Sequence, residues 1–301
     1  MQTIPQEEFV NMNFFTADVE SLYTNINVNT AIENIIEFAT EHRSHLSLYG
    51  LTLTDVHELL EISLLNSYFV YDRQVYIQLR GFFMGVRPAP LGAIIKMWKL
   101  ERLSLYSDLR ISMVFYGRFY DDINSTASNK RRAQLMINLI EAEDPDQLIR
   151  LTLDYPTTKD DYTPFLNMEA KICEDGNIDT RLYRKPQKKL LTLNSNSHHP
   201  TAVKNHTVAN MYETADMVSS NEHNKKHSAK MVDELLLNNG YSNRTLNAII
   251  AKKNKKNRKK PASGNKTVGT LKIPYLSDQC TARIKRAAVL HKIPLRVVTT
   301  P

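Results

Sequence analysis

Along the chain, short continuous apolar runs and helically spaced apolar positions follow one another without a regular order. Phe14-Phe15-Thr16-Ala17 reads as a short buried strand that ends at Asp18. Ala31, Ile32, Ile35, Ile36 and Phe38 recur near helical spacing over residues 29–39, with Asn29 or Thr30 as the expected cap. Asp55 and Glu58 have capping-box spacing and predict a helix through about Leu65. Residues 67–71 and 75–79 are rich in Tyr, Phe, Val and Ile, and Asp72-Arg73-Gln74 between them predicts a hairpin with a three-residue connection. Two Gly and two Pro shape the loop 81–90, and a helix is expected over 91–105. Val114–Phe119 reads as a strand entering Tyr120-Asp121-Asp122, with Ile123-Asn124-Ser125 leading out, and 130–142 as a helix. Residues 165–172 and 178–183 flank Glu174-Asp175-Gly176-Asn177 as a second hairpin. This irregular mixture with antiparallel hairpins predicts an α+β fold, not a doubly wound sheet.

Beyond Arg184 the texture changes. Residues 201–219, 222–238 and 243–251 have helical patterning, the second closing at Asn238-Asn239-Gly240. Lys252–Lys260 reads KKNKKNRKK, seven basic residues in nine, and 271–298 predicts strand, helix, strand. Charge divides at the same place. Residues 1–183 hold 16 Lys/Arg and 26 Asp/Glu, a net of −10, whereas 184–301 hold 23 and 6, a net of +17. An acidic half suited to cations and a basic half suited to a polyanion, nucleic acid foremost, are the expectation. The basic nine-mer itself reads as a nuclear-targeting cluster, a duplex-phosphate clamp or a solvated linker. At 301 residues and 42% apolar, the chain exceeds one ordinary domain and has material for a core. Two cysteines exclude a disulfide framework or a four-cysteine zinc site. Neither a membrane-spanning run nor a secretory leader is expected.

The sharpest chemical feature is Asp121-Asp122 after Phe119-Tyr120. Adjacent carboxylates repel, so they are kept where water, a cation or basic groups offset the cost. A solvated turn is the plain alternative. Asp18, also at the end of an apolar strand, adds a third carboxylate if the two strands are neighbours. Three carboxylates can hold two divalent cations about 3.5–4 Å apart, the arrangement used for in-line phosphoryl displacement. Hard oxygen ligands favour Mg²⁺. His198, His199 and His206 lack the partners of a zinc site and read as a polar loop.

The blocks FTADVESLYTNI (15–26), QLRGFFMGVRPAPLGA (78–93), RFYDDI (118–123), TPFLNMEAKI (163–172) and LYRKP (182–186) stand in the order found in Penelope-like retroelement reverse transcriptases. Ser197-His198-His199-Pro200 and Asn239-Gly240-Tyr241 extend the match, so the chain resembles that family over roughly 14–250. The resemblance implies an RNA-directed DNA polymerase in which a primer 3′-OH attacks the α-phosphate of a dNTP between two Mg²⁺ ions. It implies that Asp18, Asp121, Asp122 and the Val19 backbone carbonyl hold the metals. Tyr23, Met84 and Gly85 would then serve the nucleotide, Tyr23 beneath its sugar, with core packing as the alternative role for that ring. Gln78, Arg87, Tyr120, Arg184 and Lys185 would face RNA template and DNA primer; for Arg87 a plain surface charge fits as well. Lys159 is the nearest basic candidate to protonate departing pyrophosphate, or a turn residue beside Asp160 and Asp161.

The implied layout is a palm over 1–185, a helical thumb over 186–251, a basic linker over 252–270 and a small α/β unit over 271–301. Val86-Arg87-Pro88 departs from the family's Gly-Ser-Pro-like run. Little chain precedes Asp18, so the fingers region is expected to be largely missing, and the GIY-YIG-type endonuclease of many relatives absent. The expected alternative to a working polymerase is a nucleic-acid-binding remnant without catalysis.

Overall fold

The computed structural model describes residues 4–105, 113–187, 189, 191–257, 269–274, 277–290 and 295–300. Two compact units divide at Asp179/Thr180. That boundary lies inside a strand, Ile178–Leu182, a few residues before the end of the expected palm at 185.

The first unit is built on strand β1 (Asn13–Val19). Its odd positions Phe15, Ala17 and Val19 are buried in the main core, while Asp18 on the other face is exposed. Such alternation follows from the two-residue period of a strand. A one-turn helix α1 (Leu22–Asn25) follows, then α2 (Val28–Glu41) and α3 (Leu53–Leu65). Both long helices are capped two or three residues earlier than their patterns predict. Asn27 accepts from the Asn29 and Thr30 amides, and Thr52 forms the capping box with Asp55. In each case the cap must precede the helical residue whose amide it satisfies, so the side chain that looks capping in the sequence is one of the first helical residues.

Strands β2 (Tyr68–Tyr71) and β3 (Gln74–Ile77) form a separate antiparallel ribbon. Its connection is two residues, Asp72-Arg73, both with positive φ (47° and 63°), and not the three-residue link expected. Paired positive φ is the type I′ geometry that matches strand twist. Helix α4 (Ala89–Leu105) begins within the expected loop, with Pro90 in its first turn, where a missing N–H costs nothing. Then come β4 (Tyr116–Phe119), β5 (Asp122–Ala127), α5 (Lys130–Ala142) and β6 (Leu151–Asp154).

The main sheet runs β4-β5-β1-β6. Strand β6 has no counterpart in the sequence reading, because four alternating residues do not distinguish a strand from a loop. Its position depends on a buried ion pair. Lys96 on α4 meets Asp144 at 2.6 Å, and Asp144 also accepts from the Leu148 and Ile149 amides, which orients the chain entering β6. Burial acts to raise the Asp144 carboxyl, but Lys96 and those amides outweigh it and hold it below its usual range. Strands β7 (Thr163–Phe165) and β8 (Met168–Ile172), extended by β9 (Ile178–Leu182), form a third sheet. Phe14, Phe9, Ala170 and Ile172 form the small core beneath it, so this sheet covers the start of β1 and leaves its Asp18 end open.

The second unit packs α6 (Thr201–Met217), α7 (Glu222–Asn238) and α8 (Asn243–Asn257) around Val208, Val232, Leu236, Tyr241, Leu246 and Ile249. The α7–α8 turn uses Gly240 at φ 80°, where a Cβ would lie 2.7 Å from the Ser195 Oγ. Helix α8 runs six residues into the basic nine-mer, so 252–257 are helical backbone and not linker; 258–268 lie outside the described residues. Strand β10 (Gly269–Pro274), helix α9 (Asp278–Leu290) and strand β11 (Leu295–Thr300) follow in the expected strand-helix-strand order, with β10 and β11 parallel.

Candidate active site

The antiparallel register of β1 with β5 sets Asp18 directly opposite Asp122. One residue beyond, the Val19 amide donates to the Asp121 carbonyl at 3.0 Å. That bond pattern makes Asp18 and Asp122 a non-hydrogen-bonded pair, the kind with Cα atoms about 4.5 Å apart and side chains close together. Two facing carboxylates disfavour the pairing unless a positive group or cation offsets them. Asp121 occupies the second position of a two-residue turn, Tyr120-Asp121, joining β4 to β5, and is exposed like Asp18. Two strands separated by about 100 residues thus bring three aspartates to one end of the sheet.

Tyr120 adopts φ 55°, a left-handed conformation that an L side chain resists by about 1–2 kcal/mol. Arg118 holds the turn in this shape. Its guanidinium donates to the Tyr120 carbonyl at 2.8 Å and to the Ile94 carbonyl at 3.3 Å, and is clamped by both oxygens of Glu101. Glu101 and Arg118 side chains are 10% and 9% exposed, so this is a nearly buried pair. The Tyr116 hydroxyl donates to the same Glu101 at 2.5 Å. Burial first, then the Glu101 carboxylate, push that phenol far above its usual range. Sequence reasoning missed Arg118, Glu101 and Tyr116. The available signal was a basic residue three positions before the acidic pair.

Tyr23 stands half-buried against the main core and near the turn. Its phenol is raised by burial, then by Tyr120 and Asp121. Core packing and a place beside the carboxylates therefore coexist in one ring. The loop after β3 is seated on the same one-turn helix. The Phe82 amide donates to the Tyr23 carbonyl at 2.6 Å, and Gly81 has φ 74° with a would-be Cβ 2.5 Å from Thr24 Cα. Gly81, not Gly85, is the glycine that this backbone approach requires; at Gly85 a Cβ would meet only the Phe83 ring at 3.0 Å. Met84 is exposed, as is Arg87. Gln78 spends its side chain on the Arg80 carbonyl at 2.8 Å, inside the protein's own loop.

Lys159 lines a 650 Å³ cavity with Met12, Lys171 and Cys173. Met12 precedes β1, so this cavity lies at the opposite end of the strand from Asp18, about 20 Å away at 3.4 Å per residue. Lys159 is therefore not placed to protonate a leaving group at the aspartates. Arg184 and Lys185 belong to the second unit, where Arg184 donates to the Lys189 carbonyl at 2.5 Å and Lys185 is exposed.

The donor set suits a hard divalent cation: carboxylates, with the buried Asn124 Oδ1, which has no hydrogen-bond partner, on the same sheet face two residues beyond Asp122. Among the described residues no three His, Cys, Asp or Glu side chains are gathered into a ligand cluster, so the carboxylates stand as a facing pair plus a turn neighbour.

The antiparallel sheet backed by helices, with acidic residues at a strand end and at the facing hairpin, is a fold that solved polymerase structures share. The chain is similar to telomerase from Candida albicans, solved with a TWJ fragment of telomeric RNA, with TM-score 0.52 and 12% identity over 80% of this chain and 40% of that one. Apo telomerase from Candida tropicalis (TM-score 0.46, 11% identity, 82% and 44% covered) and the Sicinivirus 3Dpol RNA-dependent RNA polymerase (0.45, 13%, 79% and 51%) are more distant. The chain thus spans about half or less of the length of these polymerases. Residues 191–251 match the animal helix-turn-helix domain family, the stretch containing α6, α7 and most of α8. No curated protein sequence matches the chain. Among the described residues no helix is long and apolar enough to cross a membrane.

Proposed function

We propose that the chain is the palm and adjoining helical region of an RNA-directed DNA polymerase of the Penelope-like kind. One observation carries the reading: Asp18 faces Asp122 across β1 and β5 while Asp121 sits in the strained turn beside them. The ordered sequence blocks around these aspartates supply the narrower, Penelope-like part. In this reading a primer 3′-OH attacks the α-phosphate of a dNTP and pyrophosphate leaves. Asp18, Asp121 and Asp122, with the Val19 carbonyl, would hold two Mg²⁺ ions, which stabilise attacking and leaving oxygens when bound. Arg118 fixes the carbonyl of Tyr120 and thereby the direction of the Asp121 side chain. Tyr23, buried on one side and facing the turn on the other, limits the room beside the carboxylates. The Gly81–Phe82 backbone braces Tyr23 from behind. Orientation of this kind, and not covalent chemistry, is what phosphoryl-type transfer asks of a protein.

The test is extension of a DNA primer on an RNA template with dNTPs and Mg²⁺. Asp121→Asn is expected to lower incorporation at least about 100-fold, as losing one electrostatic stabiliser of a transition state does. Undiminished extension refutes the assignment. A second reading, nucleic-acid binding without catalysis, is favoured by the helix-turn-helix match and by carboxylates that are not gathered into a cluster. It predicts salt-sensitive binding with no incorporation by the unaltered protein at any Mg²⁺ concentration.

A further inference from the structure

We propose that the β2–β3 ribbon is a stacking platform for an unpaired nucleic-acid strand. All eight strand residues are exposed, although seven of them are aromatic or aliphatic. Register sorts them into two unlike faces. Phe69, Tyr71, Gln74 and Tyr76 share one, and Tyr68, Val70, Val75 and Ile77 the other. On the first face Phe69 and Tyr76 stack with centroids 5.5 Å apart and planes at 19°, and the Tyr76 hydroxyl donates to Gln74 Oε1 at 3.0 Å. Tyr71 continues this face at 71% exposure.

Aromatic rings displayed on one face of a strand pair, with polar groups among them, are how sheet surfaces receive unstacked bases. Charge points the same way. Residues 62–95 contain Arg73, Arg80 and Arg87 against the single acid Asp72, within a half of the chain that is otherwise strongly acidic. The ribbon is also continuous with the candidate active site. The Gln78 amide extends its ladder to the Ser67 carbonyl at 2.8 Å, Arg80 reaches Asn25 Oδ1 at 3.4 Å, and Gly81 abuts Thr24 beside Tyr23. The ribbon's own chain therefore runs on to the backbone beside Tyr23. The proposal rests on the polymerase reading only for calling the bound strand a template; binding itself needs neither metal nor dNTP.

The test is fluorescence anisotropy of a labelled single-stranded RNA with the full chain, without divalent metal or dNTP, beside a duplex of the same sequence. Phe69→Leu/Tyr76→Leu keeps apolar bulk but removes both rings. It is expected to weaken single-strand binding about 100-fold, about tenfold per ring, with duplex affinity and salt dependence unchanged. Phe69→Trp/Tyr76→Trp is expected to bind within a few-fold of the parent. A 2-aminopurine base in the strand is expected to be quenched by the parent and the Trp variant but not by the Leu variant. Unchanged single-strand affinity in the Leu variant overturns the proposal. So does an equal loss on duplex, or a change confined to self-association by sedimentation, which would make the ribbon a protein-docking surface. Asp121→Asn is expected to bind the strand as the parent does, so failure here and failure of the polymerase reading are separately visible.

Discussion

Arg118→Met is the substitution with the most legible consequences. It removes the guanidinium that pairs with Glu101 and holds the Tyr120 and Ile94 carbonyls. Glu101 keeps only the Tyr116 hydroxyl among its partners in this cluster and remains nearly buried, so an uncompensated charge is left behind. Breaking a buried pair from one side costs about 3–5 kcal/mol. The turn also loses the contact that restrains Tyr120 at positive φ. Releasing about 1–2 kcal/mol of backbone strain lowers the population of the required turn by about 5–30-fold. Urea unfolding reads the first effect and primer extension the second. Arg118→Lys separates them, because an ammonium can neutralise Glu101 but lacks the planar fork needed to reach two carbonyls as well. Its stability is expected near that of the parent, with extension about tenfold slower and primer affinity unchanged. Arg118→Met/Glu101→Gln is expected to recover much of the lost stability and none of the activity. If Arg118→Lys extends primers at the parental rate, or Arg118→Met costs less than about 1 kcal/mol, the positioning role of Arg118 is wrong.

Two further outcomes follow from the packing. The Asp144 carboxyl is held below its usual range in the folded protein, so its contribution is present above the ordinary carboxylate range and disappears as pH falls through the folded value. Lys96→Met is therefore expected to destabilise strongly at neutral pH and to flatten the acid limb of a stability-against-pH curve; an unchanged acid limb would contradict the pair's role. Gly81→Ala places a Cβ 2.5 Å from Thr24 Cα at φ 74°, and is expected to cost more than about 1 kcal/mol in urea melts and to slow primer extension by moving the support under Tyr23. A melt matching the parent would show that the loop reseats freely.

The elements most visible in the sequence are those whose apolar period is long enough to be unambiguous: α2, α5 and α7. Strand β6 escaped because four residues carry little period, and its place depends on Lys96 reaching Asp144 from 48 positions away. The β2–β3 connection came out one residue shorter than its composition implied. Arg73 and Tyr120 take positive φ without being Gly, Asn or Asp, which no residue-type rule for turns anticipates.

By itself the sequence determined the α+β class, the charge break near residue 183, and the candidate aspartates, since composition and local periodicity are properties of neighbouring residues. It also held the ordered blocks that resemble a reverse transcriptase. Only the tertiary structure decided that Asp18 faces Asp122, that Glu101 and Arg118 brace the turn, that Lys159 lies at the far end of β1, and that the aromatic ribbon stays uncovered. Those are facts about strand register and buried pairing. They depend on which distant segments share a core, and a one-residue slip in register would turn Asp18 to the opposite face of the sheet.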